Sequence, residues 1–138
     1  MTSNAGFEGP QQPPRSARPQ HTHNDYSIGV IHALAVEKAT FVAMLDDVHE
    51  ALPTPKNDDN SYIFGRIGDH IIVAACLSFR QAGNNSAATV AKNMLRSFPI
   101  KIGLMVGAGG GEWSKKVDVR LGDVVVSQPD SIHGGVVQ

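Results

Sequence analysis

The apolar positions of this chain are organised from residue 26 onward, where short runs of strand length alternate with stretches of helical period. Residues 26–34, Tyr-Ser-Ile-Gly-Val-Ile-His-Ala-Leu, read as a first strand. Over residues 35–48 the period becomes helical, with Leu34, Phe41, Leu45 and Val48 on one face and Val42 and Met44 at its edges. Pro53, Pro55 and the run Asn57-Asp58-Asp59-Asn60 then impose a loop. Residues 62–67 and 70–77 are two strand-like runs joined by Gly68-Asp69, and a Gly-first connection of this length suits a type II′ hairpin. A second helix is expected over residues 86–98. It turns Ala87, Val90, Ala91, Met94 and Phe98 inward and Lys92, Asn93 and Arg96 outward, is capped by Asn84, Asn85 or Ser86, and is stopped by Pro99. Residues 100–106 form another apolar run that empties into Gly107, Gly109, Gly110 and Gly111, and residues 124–126 form a last one. The order strand, helix, hairpin, helix, strand, glycine bend, strand predicts an α/β domain with a mixed sheet and flanking helices.

Composition narrows the setting. With 138 residues, 41% of them hydrophobic and 18% charged, the chain has the material for one domain with a core. Residues 1–25 are the exception: a Pro- and Gln-rich tail with almost nothing apolar to offset the entropy of ordering it. His21 and His23, at its end, are expected to be solvated. A formal net charge of −1 leaves no basic footprint for nucleic acid. The lone Cys76 excludes an intramolecular disulfide and a cysteine-based zinc site, and no cofactor is expected. No apolar stretch approaches the roughly 20 residues that cross a bilayer, and no secretory signal opens the chain, so a soluble, cytoplasmic protein is expected.

Three stretches just past predicted strand ends hold the candidate chemistry, and ligands on α/β sheets gather at such ends. In the first, Glu37 falls within the apolar arc of its helix, in the first turn where the helix dipole favours a carboxylate. It either reaches inward or tips out to water at the helix end. In the second, Arg80, Gly83 and Ser86 surround the start of the second helix, and make either an anion pocket or an ordinary capped loop. The third is the glycine bend, which is either a ligand floor or only a tight turn. Its spacing matches neither a Rossmann fingerprint nor a P-loop, and the chain has no nucleophile elbow, His-Glu-x-x-His or calcium loop.

Taken together, Ile28-Gly29-Val30-Ile31-His32-Ala33-Leu34 with Glu37, Val106-Gly107-Ala108-Gly109-Gly110-Gly111, and Leu121-Gly122-Asp123-Val124-Val125-Val126-Ser127 resemble the nucleoside phosphorylase and methylthioadenosine nucleosidase superfamily. The likeness is greatest to the variant found as an N-terminal domain of large fungal signalling proteins, through Gly65-Arg66-Ile67-Gly68-x-His70, Ser86-Ala87-Ala88-Thr89-Val90-Ala91, Gly103-Leu104-Met105-Val106-Gly107 and Gly134-Gly135-Val136-Val137-Gln138. The resemblance implies an α/β sandwich that cleaves the N-glycosidic bond of a purine-type nucleoside with water or phosphate. Glu37 would handle the attacking water as general base, and Ala108, Gly109 and Gly110 would line the sugar and base pocket. Met105 and Ala108 stand where hexameric bacterial phosphorylases carry Arg and Ser for phosphate, which leaves Arg80 as a substitute anion ligand. Family members continue for roughly another hundred residues on the usual domain scale, so residues 26–138 correspond to an N-terminal portion without the leaving-group acid, and no meaningful turnover is expected of it. The expected partners are a small nucleoside, phosphate and further copies of the chain, with neither nucleic acid nor membrane. The other reading that the residues allow is a non-catalytic nucleoside-sensing or protein-interaction module of a signalling protein.

Overall fold

The computed structural model describes residues 20–77, 84–111 and 118–127. It contains, in chain order, a short 3-10 turn (His23–Asp25), β1 (Ile28–His32), α1 (Ala35–Met44), β2 (Asp47–Val48), β3 (Tyr62–Ile67), β4 (His70–Cys76), α2 (Asn84–Ser97) and β5 (Ile102–Met105). The strands form one mixed sheet in the order β2-β3-β4-β1-β5, so the fold is α/β with helices flanking the sheet. The chain divides between Gly107 and Ala108, and the sheet with both helices lies on the N-terminal side of that division.

Local chemistry accounts for most of these elements. The β3–β4 hairpin turns on Gly68 and Asp69 with Ile67 opposite His70, and positive φ falls on Gly68, at 55°, and not on Asp69, as the glycine-first turn requires. β1 is paired in parallel on both sides, Val30 lying beside Ala74 of β4 and Leu104 of β5. Such a strand is buried on both faces and reads as a continuous apolar run. On one face Tyr26, Phe64, Val73, Ala75 and Leu77 pack against Val90 and Met94 of α2 and Phe98 just after it. On the other, Val30, Ile72 and Ala74 pack with Ile28, Ile67 and Phe41 of α1. Gly29 faces α2: a Cβ there would lie 2.5 Å from Met94 Sδ.

α1 stops earlier than its periodicity predicts. At Leu45 the backbone turns to φ −69°, ψ 132°, and residues expected to continue the helix become β2. Asp46 N–H donates to the Arg66 carbonyl and His49 N–H to that of Phe64. β3 would otherwise have an unpaired edge, and the main-chain bonds made there outweigh one more helical turn. Gly65 allows the approach, since a Cβ on it would lie 2.7 Å from the Asp47 carbonyl oxygen. The loop before β3 is tied to α2 through buried Asp58. Its carboxylate accepts hydrogen bonds from Tyr62 Oη at 2.8 Å, from Ser97 Oγ and from Asn60 N–H, while Asn60 Nδ2 donates to the Val90 carbonyl at 2.9 Å. Burial, and then the bond to Asp58, push the Tyr62 hydroxyl well above its ordinary pKa.

The residues ahead of Tyr26 are more ordered than a solvated tail. Asp25 accepts from Thr22 N–H at 2.7 Å and from its hydroxyl at 3.1 Å, and His21 and His23 are half-buried. Residues 1–19 of the expected tail lie outside the described residues. In the second unit Arg120 and Asp123 close a turn through Asp123 N–H to the Arg120 carbonyl and Arg120 N–H to the Asp123 carboxylate, with Gly122 at φ 96°. The run at residues 124–126, expected as a strand, has no regular secondary structure and its valines are exposed. Branched side chains favour a strand only where a neighbouring ladder receives it.

Gly65→Ala forces β2 off the sheet edge and is expected to cost about 1–3 kcal/mol, because main chain and not a flexible side chain blocks the new methyl. Asp58→Ala strands the Tyr62 and Ser97 hydroxyls and is expected to cost about 1–3 kcal/mol. Urea unfolding at constant m-value reads both, and a midpoint equal to that of the parent chain would refute either.

Candidate functional site

The parallel pairing of β1 with β4 and β5 places the carboxyl ends of all three strands along one edge of the sheet. There β1 runs into the bend Ala33-Leu34 and then α1, and β5 runs into Val106 and Gly107. Glu37, at the third position of α1, turns back: its Oε2 accepts from the N–H groups of Leu34 at 2.9 Å and Ala33 at 3.1 Å. These N–H groups precede the helix and have no carbonyl one turn earlier to receive them, so a carboxylate here serves both hydrogen bonding and the helix dipole. Glu37 is half-buried. Its other oxygen lies against Gly107, where an added Cβ would sit 2.6 Å from Oε1. Gly107 is thus small because a carboxylate occupies the place of its side chain.

His32 closes the same corner. Its ring is 1% exposed and tilts against Phe41 at a centroid distance of 4.9 Å. Nδ1 is 2.9 Å from the Val106 carbonyl. A carbonyl only accepts, so Nδ1 carries a proton and donates it. Nε2 is buried without a hydrogen-bond partner among the described residues. His32 and Val106 thereby fasten the end of β5 to β1, alongside Val106 N–H to the Ile31 carbonyl at 3.0 Å. The sequence signal for this was a single histidine inside an apolar strand run. Reading it as a fastening required knowing that Val106 lies beside it.

Arg80 and Gly83 lie outside the described residues. Ser86 is half-buried inside α2, which begins at Asn84, so it is not the residue that caps the helix. Ala108, Gly109 and Gly110 are exposed and belong to the second unit, and a Cβ at Gly109 or Gly110 would meet nothing within 4 Å. Among the described residues no group of three or more His, Cys, Asp or Glu side chains is arranged to hold a metal ion, and no helix is long and apolar enough to cross a membrane.

No protein-family model matches the chain, and no solved structure matches it. A relative from Hyaloscypha variabilis, described as a nucleotide-binding leucine-rich repeat (NLR)-like protein, is 45% identical over 123 residues, which is 88% of this chain and 12% of the relative. The chain therefore spans about an eighth of the length of the curated relative it matches. This corrects the sequence-based assignment. The resemblance to nucleoside phosphorylases and nucleosidases finds no matching family model, the similar protein carries a different description, and cleavage of a purine nucleoside is not the function that the comparisons support.

If Glu37 is the brace that its hydrogen bonds make it, Glu37→Ala should cost about 0.5–2 kcal/mol, as loss of a helix-start acceptor does. Glu37→Gln keeps an acceptor and loses only charge, and should cost about 0.3–1 kcal/mol. Thermal unfolding of the two variants ranks them, and equal effects would contradict the bracing role.

Proposed function

We propose that this chain is a non-catalytic protein-interaction module of an NLR-like signalling protein, engaging its partner by strand addition at β5. The likeness to the Hyaloscypha protein supports the setting. Nucleotide binding by this segment itself has no support in its motifs, since it lacks a Gly-Lys-Ser/Thr loop and a dinucleotide fingerprint, and no leucine-rich period runs through it.

The observation that carries the reading is the state of β5. Parallel strands are ordinarily covered on both faces, yet Ile102, Leu104 and Val106 are 53%, 48% and 45% exposed along one face, and Met105 is 64% exposed on the other. Ile102 and Val106 direct their N–H groups to Ser27 and Ile31 of the β1 side. With a period of two, Gly103 and Met105 present theirs to the side away from β1, where no strand pairs with β5 among the described residues. From residue 102 to 111 the chain carries no charge and no proline, so β5 lacks the charged and proline residues that commonly guard an edge strand. The opposite edge is β2, two residues long, with Asp46 and Asp47 at its start. The occupant that fits β5 is an extended, apolar, uncharged segment of a protein, held by main-chain bonds and by the Ile102-Leu104-Val106 stripe.

The test pairs this chain with the Hyaloscypha protein lacking its matching 123 residues. Association is expected, and Leu104→Lys should weaken it at least tenfold, about 1.4 kcal/mol, without changing the circular dichroism of the chain. Association insensitive to Leu104→Lys and Ile102→Lys would sink strand addition, and release of free base from a nucleoside by the chain would sink the non-catalytic reading.

A further inference from the structure

The segment just ahead of β1 is held on the sheet by titratable rings and not by apolar burial. Before Tyr26, which is fully buried, no residue from 20 to 25 is buried. His21 instead stacks on His49, with ring centroids 4.0 Å apart and planes inclined by 21°. His23 stacks on Phe98 at 5.3 Å and its Nε2 meets the Pro53 carbonyl at 3.0 Å. Tyr26 Oη lies 2.9 Å from His49 Nδ1. His49 follows β2 and is itself pinned to β3 through its N–H, which donates to the Phe64 carbonyl at 2.8 Å.

We propose that the stacked His21 and His49 form a proton-operated latch, which keeps the segment over residues 20–25 on the sheet at neutral pH and releases it in mild acid. Two neutral imidazoles stack favourably, whereas two imidazolium rings at this separation repel each other with little solvent between them. Protonation also undoes the contact to Tyr26. With His49 neutral, Nδ1 accepts the buried tyrosine proton. Once Nδ1 carries its own proton, the hydroxyl must accept instead, and its hydrogen has no other acceptor among the described residues. The phenol in turn stays protonated throughout, burial pushing its pKa up to about 12.

The charged groups around the pair set the direction. Burial pushes His49 below its ordinary value of 6.5, His21 and the Arg66 guanidinium push the same way, and Asp47 opposes them. On the other ring, Asp25 is the nearby carboxylate, already held below its ordinary value by its bonds to Thr22 and, to a smaller extent, by His21. A histidine whose latched form binds a proton more weakly than its released form favours release as protons are added. The latch is therefore whole above pH 6.5 and weakens as the pH falls through that value towards the lower one of the latched ring. Release lifts His23 from Phe98 and His21 from the edge of Tyr26, uncovering the aromatic cluster that both belong to with Phe64 and Tyr62.

The experiment is amide exchange on the full chain, expressed as protection factors so that the intrinsic pH dependence cancels. Between pH 7.5 and 5.0, protection at Asp25 and Tyr26, whose N–H groups donate to Thr22 and His23, should fall at least tenfold while Val73 and Ala74 of β4 hold theirs. His21→Phe keeps a ring in the stack and removes one charge, and should reduce the fall to less than threefold. A fall of the same size in His21→Phe, or none in the parent chain, would overturn the proposal. Should the variant lose protection in β4 as well, the ring carbon shifts of His21 and His49 in the parent chain decide: titration in step with release supports the latch, and titration without release refutes it.

Discussion

The pairing of β1 with a parallel neighbour on each side is the constraint on which the first unit depends. A strand so placed has no free main-chain edge, and both of its faces must be covered. α1 covers one face through Phe41, and α2 covers the other through Val90 and Met94, with Phe98 just after it. Gly29, in β1, leaves room for the Met94 side chain of α2, whose Sδ an added Cβ would meet. The same pairing brings the ends of β1, β4 and β5 to one side and so decides which loops become neighbours.

At that side the chemistry is structural before it is anything else. Glu37 accepts from main-chain N–H groups that the helix start leaves without carbonyl partners, and Gly107 makes room for it. His32 holds the end of β5 by a ring nitrogen and leaves the other one buried. A carboxylate near a glycine bend at strand ends resembles a ligand site in sequence because sites are often built there. The same residues are also what a parallel strand, a helix start and a sharp exit require. Short blocks such as Val-Gly-Ala-Gly-Gly-Gly or Leu-Gly-Asp-Val-Val-Val-Ser report strand and bend physics first, and a likeness built from them carried the nucleosidase assignment further than the comparisons allow.

The two edges of the sheet are unlike. β2 is short and acidic at its start, and it covers β3. β5 is uncharged and apolar, and its side chains are exposed. An edge of the second kind is costly in water and is a template for another strand, which is the physical content of an interaction role.

What the sequence determined by itself is whatever depends on neighbours along the chain. Gly68-Asp69 specified the hairpin, the spacing of Val90, Met94 and Phe98 specified the face of α2, Pro99 bounded it, and the apolar runs around Val30 and Leu104 specified strands. The α/β class followed from their order. Tertiary structure decided what depends on partners distant in sequence. Leu45 left its helix because β3 had an edge to be paired, Val124 to its neighbours stayed without a ladder, Glu37 turned to Ala33 and Leu34, and His32 found the Val106 carbonyl. His21 and His49 have no periodic relation at all, and only the fold stacks them. Periodicity records which side of an element is buried, but a hydrogen bond or a ring stack between remote residues leaves no period to read.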